Sequence, residues 1–178
     1  IEDNKFVLDW ETLTPSAEDV NSIYGAANHN LAVVDVDFDG RDEILSGPMA
    51  IDDDGSPMYA VKGEDAEGNT IKLGHGDAFD VAVMDPDHPG YYVWACHEES
   101  NLPANIELHD ARTGQLLFGW GKNKDTGRSR AADIDPNYPG YELWGSTATV
   151  PMNIGGEKIA DGFNEFYTRL PDGTYQKD

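Results

Sequence analysis

The sequence predicts an all-β fold assembled from repeated units, and three observations support this class. No stretch long enough for a helix carries apolar residues at helical spacing. The 19 glycines and 10 prolines separate short apolar runs, as turns separate strands. Three similar segments align on Asp37, Asp85 and Asp135, 48 and 50 residues apart. A fixed period of roughly 20–50 residues is typical of stacked supersecondary units, so we expect one unit per repeat.

Each repeat contains an apolar strand, an acidic turn and a second apolar strand. The middle repeat continues with two further runs, 106–110 and 115–120, joined by a short turn. Four short strands per repeat are the content of one β-propeller blade. We therefore expect a partial β-propeller domain over 1–178, with repeats at approximately 28–73, 74–121 and 127–178.

The segments outside these strands complete the prediction. Residues 5–10 resemble a fourth strand and would belong to a preceding blade. The third repeat reaches a turn at 171–174 and would lack its last strand, while 14–21 would form one helical turn and the polar insertion 62–69 a surface loop. The open faces of such an arc are apolar, so we expect them to pair with the remaining blades or with a second copy.

The charge of the chain limits its partners. Asp and Glu total 34 against 12 Lys and Arg, a net charge of −22, which repels nucleic acid and anionic membrane surfaces. So many carboxylates repel one another unless cations are bound or the protein lives in high salt, and bound calcium is the first expectation. No apolar run approaches the length of a membrane span. The first residues do not read as a signal peptide, so we expect an export signal upstream and a secreted protein.

The strongest local motif is the acidic turn of the first repeat. Carboxylates stand at its first, third, fifth and ninth positions with a glycine at the sixth, and the Arg41 carbonyl would add a ligand. The carboxylate residues are Asp35, Asp37, Asp39 and Glu43. Calcium binds about six to eight oxygens, which this spacing can wrap around one ion. The alternative is an acidic hairpin without an ion.

The other two acidic turns fit calcium less well. The third keeps four of the oxygen donors but is one residue longer, so its site would have altered geometry; the donors are Asp133, Asp135, Asn137 and Glu142. The middle turn has Asp85 and Asp87 but Val83 at the first position. We expect it to be an exposed acidic turn.

Histidines form a second group of candidate residues. His29, flanked by Asn28 and Asn30, and His75, followed by Asp77, both stand just before the first strand of a repeat. The pair His97 and Glu98 ends a second strand, and Arg128 stands before the first strand of the third repeat. Strand ends at equivalent positions of successive blades meet at one rim. His88 and His109 are interpreted as structural residues, the usual role of a lone histidine.

An arginine in so acidic a chain suits a carboxylate clamp, because its planar fork matches a carboxylate with two hydrogen bonds. A salt bridge to a neighbouring acidic turn is the alternative for Arg128. The lone cysteine, Cys96, lies in an apolar run and is interpreted as a buried small hydrophobe.

These motifs, in this order, resemble one family. The segments that carry the resemblance are Asn28-His29-Asn30-Leu31, Asp35-Val36-Asp37, Asp42-Glu43-Ile44, Gly74-His75-Gly76-Asp77-Ala78, His97-Glu98, Asp110-Ala111-Arg112-Thr113-Gly114, Gly127-Arg128 and Ala131 through Gly140. In order and spacing the chain is similar to the eight-bladed β-propeller rhamnogalacturonan lyases of bacteria. The resemblance weakens before Ser22 and after Thr147, and the insertion 62–69 and the segment 150–159 depart from it.

The resemblance implies calcium-dependent cleavage of rhamnogalacturonan I, or of a pectic oligosaccharide, by β-elimination at galacturonate. It assigns His29 and His75 to the catalytic cleft, and Arg128 to catalysis and to binding of the substrate carboxylate. Neighbouring amides would contact substrate, namely Asn28 and Asn30. Further side chains would hold metal near the cleft, namely Asp77, His97 and Glu98.

The identity of the catalytic base stays open at this stage. Two alternatives to an enzyme also stay open, a non-catalytic calcium-stabilised propeller and a carbohydrate-binding fragment. The first would need the acidic turns without the rim histidines, and the second would keep the cleft without the chemistry.

Overall fold

The computed structural model describes residues 8–14, 16–99, 102–120, 125–146 and 153–156, together with the backbone of 167–169 and 175–177. Every regular element in these ranges is a β-strand in an antiparallel pair. The all-β class predicted from the sequence is confirmed. The part of the chain that the structure describes contains no helix capable of crossing a membrane.

The first sheet is a meander of four short strands in sequence order, β1 (Ala32–Val34), β2 (Glu43–Leu45), β3 (Met49–Ile51) and β4 (Pro57–Ala60). Gly47, between β2 and β3, has a φ of 63°, a left-handed conformation that glycine adopts without strain. The acidic turn joins β1 to β2, and Val34 pairs with Glu43 at its base.

The second sheet repeats this arrangement with β7 (Phe79–Ala82), β8 (Tyr92–Cys96), β9 (Ile106–Asp110) and β10 (Leu116–Trp120). Ala82 pairs with Tyr92 at the base of the middle acidic turn. Tyr92 therefore takes the place in the register that Glu43 takes in the first sheet.

A hairpin lies between the two sheets in the chain, formed by β5 (Lys62–Glu64) and β6 (Thr70–Lys72). The surface loop predicted for 62–69 is therefore wrong in part. Asp65 closes the hairpin by accepting hydrogen bonds from the backbone of Glu67 and Asn69, and Gly68 has a φ of 84°. The turn at Asp65 and Gly68 brings β5 and β6 together, although the polar composition of these segments did not predict strands.

The third repeat begins with β11 (Ser129–Ala132) and β12 (Glu142–Gly145), and β13 (Tyr167–Arg169) pairs with β14 (Tyr175–Lys177). The sequence predicts that the repeat ends at a turn over 171–174; those residues lie outside the described ranges, but β14 shows that a strand follows them, contrary to prediction. The helical turn expected over 14–21 is absent from the described residues there. The strand expected over 5–10 lies mostly outside the described residues, and 8–10 are not in a strand.

The core explains how the sheets stack. Along β8, Val93 and Ala95 pack on the first sheet against residues such as Leu45. The alternate residues Trp94 and Cys96 pack on the other side against residues such as Leu143 of β12. Successive side chains of a strand point to opposite faces, so the middle sheet is buried on both. This stacking holds the first strands of successive sheets side by side.

Candidate active site and metal centres

Equivalent strand ends bring the predicted rim residues to one edge. The segments that carry His29, His75 and Arg128 enter the first strands β1, β7 and β11. Phe79 of β7 pairs with Ala95 of β8, so the residues after Cys96 return to the edge where β7 begins. Glu98 donates its backbone N–H to the His75 carbonyl at 3.0 Å, which fixes Glu98 beside this edge.

Five predicted residues converge there and are called the rim cluster: His29, His75, Asp77, Glu98 and Arg128. The Nε2 atoms of His29 and His75 are 3.3 Å apart. His29 Nε2 is 3.5 Å from Asp77 Oδ1, and His75 Nε2 is 3.9 Å from Glu98 Oε2. Arg128 donates from Nη1 to Asp77 Oδ2 at 2.5 Å. The cluster thus joins residues from the edges of three successive sheets.

The backbone fixes the orientation of the His75 imidazole. His75 Nδ1 contacts the carbonyl oxygen of Ala27. A carbonyl accepts only, so Nδ1 carries a hydrogen; in the neutral imidazole the lone pair is then on Nε2, which faces His29 and Glu98. The rings meet edge to face with centroids 4.6 Å apart. His75 Nε2 can therefore accept a proton or bind a cation.

Charge is concentrated in the rim cluster. The hydrogen bond from Arg128 holds the pKa of Asp77 below its ordinary value, with the nearby His29 adding to the effect. Arg128 also contacts the Gly127 carbonyl through Nη1, yet 71% of its side chain is exposed. The guanidinium therefore faces solvent from a fixed position.

One group of ligand atoms in the rim cluster is compact enough for a metal ion. Ligand atoms of His29, His75 and Glu98 lie within 4.8 Å of one another. The carboxylate oxygen suits calcium, whereas imidazole nitrogens are preferred by transition metals. Two imidazole nitrogens and one carboxylate oxygen can bind a divalent cation, but this mixed set is less selective for calcium than a site made only of oxygens.

The two asparagines predicted to bind substrate lie in different surroundings. The side-chain oxygen and nitrogen of Asn28 are buried without a hydrogen-bond partner, close to Gly47 and Gly76. Asn30 is exposed. A side chain larger than hydrogen at Gly76 would overlap the Cys96 carbonyl, so this glycine permits the close approach that places His75 and Asp77.

The structure does not bring His97 to the rim. His97 is fully buried; its Nδ1 donates to the Gly74 carbonyl at 2.8 Å, and its Nε2 lies 3.6 Å from Glu107 Oε1. Both ring nitrogens thus point at interior partners. This geometry separates His97 from the cation group of the rim, unlike its chain neighbour Glu98.

Glu107 is the centre of a second, buried group that the sequence did not reveal. His109 Nδ1 lies 3.0 Å from both carboxylate oxygens of Glu107, and all three of Glu107, His97 and His109 are fully buried. Burial alone would raise the pKa of Glu107, but the charges and hydrogen bonds of His109 and His97 together outweigh burial and lower that pKa. Tyr59 Oη lies 3.4 Å from His109 Nε2. We call these four residues the buried cluster.

The first acidic turn gathers three of its predicted ligands. Carboxylate oxygens of Asp35, Asp37 and Asp39 lie within 4.8 Å of one another. Backbone N–H groups hold them in place, since Asp39 donates to Asp35 and Asp37 at 3.1 Å each. Gly40, with a φ of 96°, permits the sharp turn. These oxygens fit the calcium predicted from the spacing.

Glu43 groups instead with Asp52 and Asp53, which the sequence analysis missed; ligand atoms of the three lie within 4.8 Å of one another. Glu43 Oε2 accepts the Val36 N–H at 2.7 Å, whereas Oε1 is buried without a partner. Burial raises the pKa of Glu43. The side chain of Arg41 pairs with Asp53 at 2.5 Å.

The third acidic turn has a buried glutamate, Glu142, at the position of Glu43. It does not have the compact group of aspartates that the first turn has. Glu142 Oε2 accepts the N–H groups of Ile134 and Asp135 at 2.9 and 2.8 Å, and Glu142 Oε1 is buried without a partner. Asp135 is buried and accepts from Asn137, while Asp133 is exposed. Among the described residues, the predicted donors of this turn therefore do not form a compact carboxylate group.

Comparison with known proteins agrees with these features. Residues 1–172 match the model of the C-terminal domain of rhamnogalacturonan lyase family 11. The chain is 41% identical over 160 residues to the rhamnogalacturonan endolyase YesW of Bacillus subtilis (strain 168), covering 90% of this chain and 24% of that protein. It is 42% identical over 146 residues to the exolyase YesX of the same organism, covering 77% of this chain and 22% of YesX.

Solved structures give the same result. The crystal structure of YesW superimposes with a TM-score of 0.68 at 44% identity, over 78% of this chain and 22% of YesW. The rhamnogalacturonan lyase PL11 of Bacillus licheniformis gives 0.68 at 42% identity, over 78% and 22%. The chain therefore belongs to rhamnogalacturonan lyase family 11, because it matches the model of the C-terminal domain of that family. It spans about a quarter of the length of the relatives it matches.

Proposed function

We propose that this chain forms part of the catalytic centre of a lyase that cleaves rhamnogalacturonan I by β-elimination at galacturonate. The observation that carries the proposal is the rim cluster, which sets an exposed arginine and two imidazoles within a few ångströms of one another. Family membership supports the same substrate class, because the relatives are named as rhamnogalacturonan lyases.

The reaction removes the C5 proton of galacturonate and expels the 4-O-linked rhamnose, which leaves a C4–C5 double bond. Negative charge develops toward the C6 carboxylate as the proton departs. Arg128 can bind that carboxylate through its exposed guanidinium and stabilise the charge, as fixed donors do in oxyanion holes. Asp77 holds Arg128 in position, since its carboxylate receives the guanidinium hydrogen bond.

Of the two imidazoles, His75 is the better placed to take the proton. Its Nδ1 donates to the Ala27 carbonyl, so in the neutral ring the lone pair is on Nε2, beside His29 and Glu98. His29 Nε2 lies within hydrogen-bond distance of that nitrogen, and it can accept a hydrogen bond from the protonated His75 when its own hydrogen is on Nδ1. We therefore assign His75 as the base and His29 to substrate contact, with Asn30 beside it.

We also propose calcium as the cofactor, on the evidence of the first acidic turn. Asp35, Asp37 and Asp39 offer oxygens held in place by backbone donors. Glu43 offers a buried oxygen without a partner, in the separate group with Asp52 and Asp53. Arg41 would contribute its carbonyl. The third turn, through Asp135, Asn137 and Glu142 with Asp133 nearby, is proposed as a second and weaker site. A cation at the rim would be held by Glu98 and His29, which leaves His75 Nε2 to act as the base, and it would polarise the substrate carboxylate when bound.

The remaining expectations are proposals of the same kind. Successive meanders that stack through both faces of the middle sheet support a β-propeller, with further blades covering the open faces. The excess of acidic residues supports binding of calcium in a calcium-rich, secreted setting in bacteria. Nucleic acid and anionic membranes remain disfavoured as partners by the net charge of −22.

The test is incubation of the intact protein with rhamnogalacturonan I while the absorbance of unsaturated galacturonate is recorded. We expect product to accumulate with calcium and to fall on chelation. Binding of the polysaccharide without any unsaturated product would contradict the lyase assignment and support the carbohydrate-binding alternative. Neither binding nor product would favour the non-catalytic propeller.

A further inference from the structure

A cavity of about 320 Å³ lies beside the rim cluster, between the segment 17–26 and strand β6. This volume is at the small end of the roughly 300–1,000 Å³ that small-molecule sites occupy. Its walls include Val20, Tyr24, Ile71 and Lys72, and its edge nearest the rim is formed by Gly74, Glu99 and Ala26.

Three walls of this cavity continue directly into the rim cluster. Gly74 precedes His75, and Glu99 follows Glu98 in the chain. Ala26 precedes Ala27, whose carbonyl contacts His75 Nδ1. Consecutive Cα atoms are about 3.8 Å apart, so the backbone at this edge of the cavity adjoins the backbone that carries His75 and Glu98.

The chemistry of the walls suits a neutral sugar. Val20, Ile71 and the buried Leu73 offer apolar surface. The Tyr24 ring is 54% exposed, and aromatic rings at partly open sites present a large apolar face with a polar tip.

The charges in the cavity disfavour a second carboxylate. The Lys72 ammonium donates to the carbonyls of Ser22 and Tyr24 at 3.1 and 2.9 Å, so it is already engaged by the wall. The Glu99 side chain lies against Gly74 and repels an anionic ligand. Arg128, whose guanidinium could bind a carboxylate, is part of the rim cluster and does not line the cavity.

We propose that this cavity is a subsite for the neutral 6-deoxysugar next to the galacturonate, with Tyr24 against the ring and the apolar wall against its methyl group. The subsite rests on the proposed function for its substrate. Strand β6 supplies one wall, and it ends the hairpin that departs from the family pattern in the sequence. The cavity therefore contributes to the substrate specificity of this protein.

The experiment uses the intact protein and compares Tyr24→Ala with Leu117→Ala, a control whose side chain is 44% exposed and lies outside the cavity. Steady-state kinetics are measured on rhamnogalacturonan oligosaccharides. We expect Tyr24→Ala to raise KM at least tenfold with kcat within twofold, which indicates lost binding common to ground and transition states. Equal KM values for the two variants would overturn the subsite.

A second variant, Glu99→Lys, tests the charge argument. We expect it to increase the affinity for oligogalacturonate, in which every unit is anionic, relative to the unchanged protein. No gain in this affinity would count against the subsite.

Calorimetric binding of the same rhamnogalacturonan oligosaccharides separates this inference from the lyase proposal. If the protein makes no unsaturated product but Tyr24→Ala still weakens binding tenfold, the subsite stands and the lyase proposal fails. If the protein is an active lyase and Tyr24→Ala binds as tightly as Leu117→Ala, the subsite fails and the lyase proposal stands.

Discussion

The rim cluster and the buried cluster use the same residue types in opposite ways. Each contains two histidines and at least one carboxylate. At the rim, the side chains of His29 and His75 are 69% and 35% exposed, and His75 Nε2 lies beside His29 and Glu98, which are themselves partly exposed. In the core, His97 and His109 are fully buried around Glu107. Burial and the direction of the ring nitrogens distinguish the two clusters, whereas composition does not.

The difference in burial gives the two clusters different roles: the rim cluster serves the proposed chemistry, and the buried cluster serves stability. A buried carboxylate must be paired, because an isolated charge in the interior is costly. Removing a partner from the buried cluster therefore destabilises the fold, while removing a rim residue leaves solvent to replace it. The predictions that follow test this separation, beginning with the largest expected effect.

Glu107→Ala should lower the free energy of unfolding by about 3–5 kcal/mol, because it leaves His97 and His109 buried without their carboxylate. The matched control is Glu98→Ala at the rim, for which we expect a loss below ~1 kcal/mol. Denaturant unfolding of the intact protein measures both. Equal losses for the two variants would break the comparison.

The acidic turns extend the comparison to metal binding. The first turn gathers three carboxylates, whereas in the middle turn Asp85 is engaged by His88 Nδ1 at 2.9 Å. Calcium at a hundred times its Kd should stabilise the protein by about 2.7 kcal/mol. We expect Asp37→Ala to reduce the fall in Tm on chelation, and Asp85→Ala to leave it unchanged. A calcium response that depends on Asp85 and not on Asp37 would reverse the assignment.

The smallest effect concerns His88, an exposed histidine with a single carboxylate partner. The hydrogen bond and charge of Asp85 raise the pKa of His88 above its ordinary 6.5. The stabilisation is therefore fully present below pH 6.5 and is lost as the pH rises through the folded-state pKa. NMR titration should show this raised pKa, and Asp85→Asn should return it toward 6.5. An unchanged titration in that variant would show that the pair does not form.

The sequence predicted the features that depend on repetition. The period of the acidic turns predicted the strand order, and equivalent positions before first strands predicted that His29, His75 and Arg128 would lie near one another. Both predictions were possible because the register of paired strands determines which residues lie at the same edge of a sheet.

The buried cluster could not be predicted in the same way. Alternation along β9 puts Ile106 and Leu108 on one face and Glu107 and His109 on the other, a pattern typical of a half-exposed strand. The first sheet stacks on the second and also buries the face of β9 that carries Glu107 and His109. No local sequence pattern predicts this burial. Asp52 and Asp53 were missed for a related reason, since they approach Glu43 through the tertiary pairing of β2 and β3.

The most direct test of the central claim compares two arginines of the same strand region. Arg128 pairs with Asp77 at the rim, and Arg130 pairs with Asp80 at 3.1 Å two residues further on. Turnover of rhamnogalacturonan I is measured from unsaturated product in the intact protein for Arg128→Ala and Arg130→Ala. Loss of carboxylate stabilisation should cost about 3–4 kcal/mol, a fall in kcat of roughly 100-fold or more, for Arg128→Ala, while Arg130→Ala should keep kcat within twofold. Equal turnover in the two variants, with both folded, would contradict the assignment of the rim cluster to catalysis.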